Sequence, residues 1–391
     1  MQLNIFKIIK KRFIITLTII CLTKLISAPA YSFKTIADFA LLIDITTDKV
    51  LFEKNADQSM PPASMSKMMT AYMLFERLRD GSLSMDDTFI VSENAWRKGG
   101  VKSGSSTMFL EPGRKVSVED LLLGIIVQSG NDACIVVAEG LAENESVFAE
   151  EMTKRAHEMG MKNTFFKNST GWPEKGHVST ARDLALLAKR TIVDFPKLYQ
   201  YYSNKEFTYN SIRQINRNPL LYRDLSADGL KTGHTRESGY GLTASATKGD
   251  RRLILVVNGL PTKKARRKEP ERLLAWGFRE FNNYKIFSAG EKVTDANVWL
   301  GKKASVGILS KKDLLVTIPR KVRRKMKVII KYDSPIPAPI FKGDPVAKLL
   351  ITSPGETDYE VTLSAESDVK KLSFFGSLGP AIRAIIWGNS H

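Results

Sequence analysis

Ser64 and Lys67 place a hydroxyl and an amine three residues apart at the start of a predicted helix. Side chains at this spacing lie on one face of a helix, so the two groups can touch. A serine hydroxyl at neutral pH needs an adjacent base, and a lysine serves as that base only when it is uncharged. A helix N-terminus and a second nearby cation both disfavour the charged amine. The pair therefore predicts nucleophilic catalysis by Ser64 with Lys67 as its general base.

Two further motifs contain residues that could complete such a site. Ser129-Gly130-Asn131 interrupts a helical pattern, and Lys231-Thr232-Gly233 lies in a strand-like segment. The first two motifs are weak alone, because Ser367 and Lys370 repeat the serine–lysine spacing and Ser92-Glu93-Asn94 repeats the second motif. The order of all three motifs, at a helix start, an interhelical loop and a strand, is the informative feature. This set is typical of β-lactamases and penicillin-binding proteins.

The residues around the three motifs extend this match. Segments 62–67, 129–133 and 228–235 closely resemble the low-molecular-mass penicillin-binding proteins with D-alanyl-D-alanine carboxypeptidase activity. The resemblance covers nearly the whole chain after residue 30. It implies no cofactor, peptidoglycan pentapeptide stems as substrate, and acylation of Ser64 by β-lactam antibiotics, which resemble the D-alanyl-D-alanine terminus.

The resemblance also implies a catalytic role for each matching residue. Ser64 would attack the carbonyl of the penultimate D-alanine while Lys67 takes the hydroxyl proton. Ser129 would pass a proton to the departing D-alanine, and Asn131 would hold Lys67 and the substrate amide. The backbone amides of Ser64 and His234 would form the oxyanion hole, where two fixed donors stabilise developing charge by a few kcal/mol.

Substrate binding is implied for the third motif and for arginines outside it. The segment Lys231-Thr232-Gly233-His234 would bind substrate, with Lys231 and Thr232 on the terminal carboxylate. In the family an arginine from a turn after this strand assists, and by position this is Arg266, although Arg267 beside it leaves the choice open. Arg217 also fits a family position that lines the site, with a surface arginine as the alternative.

Two other functions share these motifs. A β-lactamase would need a glutamate positioned for fast deacylation. The only Glu-x-x-x-Asn spacing between the second and third motifs, Glu206 to Asn210, lies in a strand-like segment close before Lys231. A wall-binding or penicillin-sensing module would be acylated without turnover, although the complete set of catalytic positions argues against it. The motifs therefore favour the carboxypeptidase.

Other hydrolytic chemistries lack their motifs. The four histidines, His157, His177, His234 and His391, show no two-histidine helical spacing with a glutamate, which argues against a zinc peptidase. No serine has the Gly-x-Ser-x-Gly flank of the Ser–His–Asp hydrolases. His177 matches a family loop over the site, and a loop histidine is more often structural than catalytic. We expect no metal.

Apolar periodicity predicts the elements that must position these residues. Ser64 is expected to cap a helix that Gly81 ends, and Ser117 to begin another through a capping box with Asp120. Hairpins are predicted over 39–52 and 239–258, and further helices over 132–141, 147–159, 180–192 and 271–281. Strands at both ends that enclose helices indicate an α+β fold, in which helices flank an antiparallel sheet.

Composition divides the chain into further segments. Residues 1–30 have basic residues, an apolar run and a small-x-small site, which is typical of a signal peptide. The alternative is an uncleaved membrane anchor, which needs about 20 apolar residues, but Lys24 and Pro29 interrupt the apolar run before that length is reached. Residues 31–288 form the predicted peptidase domain, and 289–370 a small all-β domain of short alternating segments with many turn formers.

The chain is strongly basic, with a formal net charge of +18. Removal of the predicted signal, with five basic and no acidic residues, would lower it to +13. This charge favours anionic lipid or wall polymer as neighbours, and export argues against nucleic acid. The basic run 319–325 is expected to be a solvated turn, with a surface patch as the alternative. Cys134 alone would remain after cleavage, so no internal disulfide can form, and its apolar flank predicts a buried, inert thiol.

Residues 371–391 have the pattern of an amphipathic membrane-association helix. Seven apolar side chains fall on one face: Phe374, Phe375, Leu378, Ile382, Ile385, Ile386 and Trp387. Lys370, Lys371 and Arg383 could meet lipid headgroups, and the segment is too short to span a bilayer. A helix docked on the β domain is the alternative. With the export signal, the pattern predicts a peripheral protein on the periplasmic face of the bacterial inner membrane.

Overall fold

The computed structural model describes residues 33–373. These residues form two compact units, 33–281 and 282–373. The signal peptide predicted over 1–30 lies outside the described residues, as does the predicted C-terminal helix from residue 374 onward. Within the described part of the chain, no helix is long and apolar enough to cross a membrane.

The first unit contains nine strands and seven α-helices within residues 33–281. Its strands are β1 (Phe39–Asp44), β2 (Lys49–Lys54), β3 (Thr88–Ile90), β4 (Lys115–Ser117), β5 (Glu206–Tyr209), β6 (Ile212–Ile215), β7 (Ala227–Thr235), β8 (Gly239–Lys248) and β9 (Arg251–Leu260). Its helices are α1 (Lys67–Asp80), α2 (Glu93–Gly99), α3 (Val118–Leu123), α4 (Asn131–Leu141), α5 (Glu145–Glu158), α6 (Ala181–Asp194) and α7 (Lys263–Glu280). Four 3₁₀ segments and one π-helix connect them: Ala63–Ser66, Val101–Ser103, Gly124–Gln128 (the π-helix), Leu198–Ser203 and Pro219–Tyr222.

A five-stranded antiparallel sheet organises this unit, in the order β2-β1-β9-β8-β7. The strands from the two ends of this unit meet where β1 pairs with β9. One side of the sheet joins a large core with helices α1, α4 and α6. Helix α7 packs against the sheet where Gly277 lets its backbone approach Leu42 and Leu253. The predicted α+β fold, with helices flanking an antiparallel sheet, is confirmed.

The start of helix α1 differs from the expectation. Ser64 does not cap the helix, because the chain enters α1 through a 3₁₀ turn, Ala63–Ser66, and the N-cap position falls on Ser66. The hydroxyl of Ser64 accepts a hydrogen bond from the side chain of Lys67 instead. The predicted end is correct, since Gly81 adopts the left-handed conformation that terminates many helices, with φ of 79°.

Helix α7 begins earlier than the predicted helix over 271–281. Thr262 caps it, accepting a hydrogen bond from the amide of Ala265 at 3.0 Å. The first half of α7 is mostly Lys and Arg, so it lacks the apolar stripe from which a helix is predicted. Arg266 consequently lies in the first turn of a helix and not in a turn between elements.

The second unit is all-β apart from one 3₁₀ turn, as predicted. Its strands are β10 (Phe281–Phe287, which begins in the first unit), β11 (Lys292–Trp299), β12 (Ser305–Leu309), β13 (Leu314–Pro319), β14 (Lys327–Lys331), β15 (Ile336–Pro337), β16 (Pro345–Thr352) and β17 (Tyr359–Ala365). Six of them form a sheet in the order β14-β16-β17-β12-β11-β15, and β10 pairs with β13. The basic run forms the 3₁₀ turn Arg320–Lys325, in which no residue is buried, as a solvated turn requires.

A buried ion pair joins strands β1 and β9. Arg251 donates from Nε to Asp44 Oδ2 at 2.9 Å and from Nη1 to the carbonyl of Phe281 at 2.7 Å. The Asp44 side chain is 0% exposed and that of Arg251 is 10% exposed. Removing one partner of such a pair leaves an uncompensated buried charge.

We predict that Asp44→Ala lowers the free energy of unfolding by about 3–5 kcal/mol, because Arg251 then stays buried without its carboxylate. Denaturant unfolding of the wild type and the variant measures the difference. Glu53→Ala is the control, since Glu53 pairs with Arg182 at a surface site and its loss costs below about 1 kcal/mol. Equal losses in the two variants would contradict the prediction.

Candidate active site

The three motifs meet in one cleft of the first unit, with a volume of about 780 Å³. Predicted site residues supply seven of the side chains and one glycine in its wall: Ser64, Ser129, Asn131, Arg217, Thr232, Gly233, His234 and Arg266. Lys67 and Lys231 are buried beneath this surface, 1% and 2% exposed. The sequence-predicted residues therefore form one site, although they are spread over about two hundred positions of the chain.

Ser64 and Lys67 have the predicted contact. Lys67 Nζ donates to Ser64 Oγ at 2.9 Å and to the carbonyl oxygen of Thr170 at 2.6 Å. The short 3₁₀ turn before α1 leaves Ser64 half-buried at the cleft surface, while Lys67 enters the core. A nucleophile and a base within hydrogen-bond reach are the arrangement that serine acylation needs.

The environment of Lys67 disfavours its charged form. Burial is the main cause that lowers the pKa of Lys67 from 10.5 to about 8, and the nearby positive charge of Arg217 contributes, against the opposing effect of Cys134, Asp132 and Glu145. Burial also holds the pKa of Lys231 well below its usual value, and repulsion from Lys67 and Arg217 adds to this. A fraction of the Lys67 amines is therefore neutral near neutral pH and able to accept a proton.

Ser129 occupies a strained turn between two helices. The π-helix Gly124–Gln128 ends at Ser129, which adopts a left-handed conformation with φ of 66°, and α4 begins after Gly130. Such conformations are disfavoured for residues with a side chain and persist where the surrounding structure fixes them. The turn places Ser129 and Asn131 in the cleft wall beside Ser64.

Asn131 does not make the expected contact with Lys67. Among the described residues, Lys67 Nζ bonds to Ser64 and to the Thr170 carbonyl, so Thr170 takes the place that the sequence analysis gave to Asn131. The side chain of Asn131 lines the cleft, and its backbone amide donates to the Ser106 carbonyl at 2.7 Å. It thus remains available to a substrate amide.

Strand β7 provides the wall that carries Lys231, Thr232 and His234. It lies at the edge of the five-stranded sheet, so its outer backbone groups face away from β8. A Cβ atom on Gly233 would lie 2.9 Å from the carbonyl oxygen of Pro62, just before the turn of Ser64. Glycine is therefore required for the strand to approach the nucleophile this closely.

Arg266 and Arg267 occupy different environments, which separates the two candidates. Arg266 is 7% exposed, lines the cleft and donates from Nη1 to the carbonyl of Gly233 at 3.2 Å. Its guanidinium lies 5.3 Å from the ring centre of Tyr240, which stacks on His234. Burial lowers the pKa of Arg266 to about 10, so it remains cationic at neutral pH. Arg267 is exposed and lies outside the cleft.

Arg217 also faces the cleft, as the resemblance implied. Its Nη1 donates to Ser106 Oγ at 2.5 Å, in the loop over 104–110. Asp132 fixes this loop, since its buried carboxylate accepts hydrogen bonds from Thr107 Oγ1 and from the amides of Met108 and Leu110. Asp132, the residue that directly follows the second motif, therefore has a structural role that the motif alone does not indicate.

His177 lies behind the nucleophile and does not touch Ser64. Its Nδ1 accepts from the amide of Lys167 at 3.1 Å, so its Nε2 donates to Ser66 Oγ at 2.8 Å, and Ser66 in turn donates to the Ala63 carbonyl at 2.9 Å. Burial, with the charge of Lys67 next, lowers the pKa of His177 to about 4 and keeps it neutral. This series of hydrogen bonds holds Ala63, the residue before Ser64, in line with the structural role expected for His177.

The sequence analysis missed several residues of the site. Thr170 and Ser106 act through a backbone carbonyl and a loop hydroxyl, and Trp172 and Tyr240 line the cleft as aromatic walls. Gly171 and Trp172 do leave a sequence signal, because they belong to the segment 171–177 that matches a family loop over the site. Gly171 follows Thr170 with φ of 77°, and a Cβ there would lie 1.9 Å from the carbonyl oxygen of Ala63.

The competing motifs have ordinary structural roles. Ser92 caps α2 by accepting from the amide of Ala95, and its hydroxyl donates to Glu139. Glu206 forms an ion pair with Arg213 across the β5–β6 hairpin. Cys134 is buried, and burial raises the pKa of its thiol to about 12, which makes it the inert thiol that was predicted.

Comparisons with known proteins agree with this geometry. The family model for D-alanyl-D-alanine carboxypeptidase matches residues 24–262, and the model for the C-terminal domain of penicillin-binding protein 5 matches residues 281–371. The chain is 40% identical to the D-alanyl-D-alanine carboxypeptidase DacA of Escherichia coli K12 over 347 residues, which cover 88% of this chain and 86% of DacA.

Solved structures show the same fold. Penicillin-binding protein 5 of Haemophilus influenzae superposes with a TM-score of 0.77 at 37% identity, covering 87% of this chain and 99% of that one. Penicillin-binding protein D2 of Listeria monocytogenes, in its ampicillin-bound form, has a TM-score of 0.57 at 30% identity, covering 63% of this chain and 99% of that one. These matches agree with the contact between Ser64 and the buried Lys67 in the cleft. The chain therefore belongs to the D-alanyl-D-alanine carboxypeptidase family of serine peptidases.

Proposed function

We propose that Ser64 is acylated by the penultimate D-alanine of a peptidoglycan pentapeptide stem, with neutral Lys67 as the base. The observation that carries this proposal is the 2.9 Å contact between Lys67 Nζ and Ser64 Oγ in a cleft that also contains Ser129 and strand β7. The reaction is the one that the family performs. The residue roles are those that the resemblance to the family implies for this chain.

The steps follow from the positions of these groups. Lys67 takes the hydroxyl proton as Ser64 Oγ bonds to the carbonyl carbon, and the backbone amides of Ser64 and His234 stabilise the oxyanion. The C–N bond then breaks as Ser129 passes a proton to the amine of the departing D-alanine, and the proton held on Lys67 replaces it on Ser129, so that Lys67 is neutral again. Water then attacks the acyl-enzyme and gives a proton to Lys67. That proton passes to Ser64 Oγ as the ester C–O bond breaks, which releases the shortened stem and free Ser64.

Recognition of the terminal carboxylate would direct cleavage to the last peptide bond of the stem. Thr232 and Arg266 line the cleft beside His234, and Lys231 is buried behind them. A substrate carboxylate would supply the negative charge that this cationic group of side chains lacks, and it would favour the charged form of Lys231. Binding energy at the carboxylate thereby positions the adjacent peptide bond against Ser64.

β-Lactams should acylate the same serine, because they resemble the D-alanyl-D-alanine terminus. The ampicillin-bound Listeria protein has this fold. Rapid release of the acyl group, as in a β-lactamase, would need a glutamate over the ester. Glu206, the only candidate that the sequence offered, is engaged with Arg213 in a surface hairpin. A long-lived acyl-enzyme is therefore expected, and turnover of β-lactam is not favoured.

We further propose that the protein is exported and lies on the periplasmic face of the inner membrane. The signal-like segment over 1–30 and the amphipathic pattern over 371–391 support this proposal. A family of wall enzymes also needs access to peptidoglycan, which lies outside the cytoplasm. The basic composition favours contact with anionic headgroups.

Ser64→Ala should abolish acylation and reduce D-alanine release from a pentapeptide stem by at least about 10³-fold, since the attacking oxygen is lost. Mass spectrometry of the digested peptide and of the penicillin-treated protein measures both effects. Ser92→Ala is the matched control, because Ser92 only caps a helix. Undiminished release from Ser64→Ala, or no release from the wild type, would refute the proposed function.

The acylation rate should rise with pH through an apparent pKa of about 8, because only the neutral Lys67 amine accepts the proton. Stopped-flow acylation by a chromogenic β-lactam between pH 5 and pH 10 tests this expectation. A flat profile over that range, with the protein folded throughout, would argue that another group is the base.

Lys67→Met should abolish acylation and yet raise the free energy of unfolding at pH 7, by about 1–3 kcal/mol, because it removes a buried charge. The folded pKa of about 8 lies below the unfolded value of 10.5, so the unfolded chain binds more protons between these values. Wild-type stability therefore rises over this window, and the advantage of Lys67→Met shrinks as pH rises from 8 to 10.5. Denaturant unfolding at several pH values, with Lys162→Met as an exposed control, measures the effect.

Ile382→Glu should shift the protein from the membrane fraction to the soluble fraction, because a carboxylate on the apolar face opposes insertion at the interface. Ala384→Glu is the matched control, since position 384 falls on the opposite face of the helical pattern. Cell fractionation with immunodetection provides the measurement. Equal partitioning of the two variants would contradict the membrane proposal.

A further inference from the structure

The amine of Lys67 is held by a backbone acceptor as well as by Ser64. Lys67 Nζ lies 2.6 Å from the carbonyl oxygen of Thr170 and 2.9 Å from Ser64 Oγ. A neutral amine has two N–H groups and one lone pair. When the Thr170 carbonyl accepts one N–H, the lone pair is left to accept the proton of Ser64. The direction of this carbonyl therefore decides whether the amine faces the hydroxyl in the orientation that a base needs.

The carbonyl belongs to a short bend, residues 168–172, that directs two neighbouring carbonyls at helix α1. Thr70 Oγ1 donates to the carbonyl of Ser169 at 2.6 Å, and Lys67 donates to the next carbonyl, that of Thr170. Lys67 and Thr70 are three residues apart and share one face of α1. Successive residues of an extended chain face opposite ways, so the segment must bend for both carbonyls to reach the same helix.

The side chain of Asn168 stabilises this bend. Its Oδ1 accepts from the amides of Thr170, Gly171 and Trp172 at 3.3, 2.8 and 3.1 Å, and from Thr170 Oγ1 at 3.0 Å. Because three of these donors are backbone amides, the atom that they meet must be the oxygen of the side-chain amide. Asn168 Nδ2 donates to the Trp172 carbonyl and to Glu174 Oε2, both at 3.1 Å. The residue is only 8% exposed, so its hydrogen bonds are shielded from water.

A carboxylate anchors the residue between Asn168 and Thr170. Glu145 Oε1, at the first residue of α5, accepts from the amide of Ser169 at 3.1 Å and from its hydroxyl at 2.7 Å. Among the described residues, however, the amides of Thr170 and Gly171 donate to Asn168 alone. The orientation of the Thr170 peptide therefore depends on Asn168.

We propose that Asn168 is a positioning residue of the reaction. It fixes the bend, the bend fixes the Thr170 carbonyl, and the carbonyl orients the Lys67 amine toward Ser64. The inference rests on the proposed function, in which Lys67 is the base. Lysine has a flexible four-carbon side chain, and a misplaced base loses the hydrogen-bond reach that proton transfer requires. Asn168 does not line the cleft, so its role is to hold other groups in place.

The test uses three variants of the full chain. Asn168→Ala removes the acceptor of the bend. The double variant Asn168→Asp with Glu174→Gln restores an acceptor oxygen at the same net charge, and the amide at position 174 can donate to the carboxylate at position 168. Ser117→Ala is the control for lost stability, because Ser117 caps α3 through the amide of Asp120 at 3.1 Å and does not line the cleft.

Stopped-flow acylation by a chromogenic β-lactam gives the rate constant, and mass spectrometry gives the fraction of molecules that can be acylated. We expect Asn168→Ala to lower the rate constant of that fraction roughly ten- to hundredfold, because general-base catalysis is impaired. The double variant should recover to within about fivefold of the wild type, and Ser117→Ala should match the wild type. For a pentapeptide stem, kcat should fall by a similar factor while KM changes by less than about threefold.

The pH profile separates positioning from a general loss of structure. A carbonyl acceptor favours the charged amine, so the apparent pKa of acylation should fall below the wild-type value of about 8 in Asn168→Ala. An unfolded fraction would lower the amount acylated and leave this pKa unchanged. None of the variants alters the other titratable groups that act on Lys67, which are Cys134, Arg217, Asp132, Glu145, Lys231 and His177.

Three results would overturn the inference and leave the proposed function intact. An unchanged rate constant or an unchanged apparent pKa in Asn168→Ala would mean that the amine keeps its orientation without Asn168. Equal losses in Asn168→Ala and in the double variant would mean that the acceptor oxygen is not the feature that matters. A raised KM with unchanged kcat would assign the bend to substrate binding through Trp172. Absence of D-alanine release by the wild type, or undiminished release by Ser64→Ala, would instead refute the proposed function.

Discussion

The amine of Lys67, buried in the core and hydrogen-bonded to the hydroxyl of Ser64, is the constraint on which the rest of the structure depends. An amine in this position loses its hydration, so its proton is held less tightly than in water. The same burial that would allow it to act as the proposed base also makes it costly to the fold. Catalysis and stability therefore make opposite demands on one side chain, and the surrounding core must supply the difference.

The architecture meets this demand through backbone approaches that only small residues permit. Gly233 brings strand β7 against the turn of Ser64, and Gly171 brings its loop against the carbonyl of Ala63. The His177–Ser66 chain then holds that carbonyl from behind. Each contact fixes the backbone around Ser64 and leaves its hydroxyl at the cleft surface, where the proposed substrate would enter.

The sequence predicted those features that depend on residue type and period. The three motifs, the antiparallel sheet and the glycine end of α1 followed from side-chain chemistry and apolar spacing. Features that depend on backbone conformation did not follow: the 3₁₀ entry to α1, the carbonyl of Thr170 as a partner of Lys67, and the left-handed Ser129 leave no pattern in side chains. The basic start of α7 was missed because its solvent-exposed turns carry no apolar stripe.

The position of β7 at the margin of the sheet has a consequence for the behaviour of the protein in a crowded compartment. Unpaired strand margins recruit other strands and promote aggregation. Here the loop over 104–106 and the segment Thr170-Gly171-Trp172 belong to the same cleft as β7, so a visiting chain must fit between these walls. We expect these walls to hinder edge-to-edge pairing of β7 with the sheet of a second molecule more than they hinder the entry of a single extended peptide.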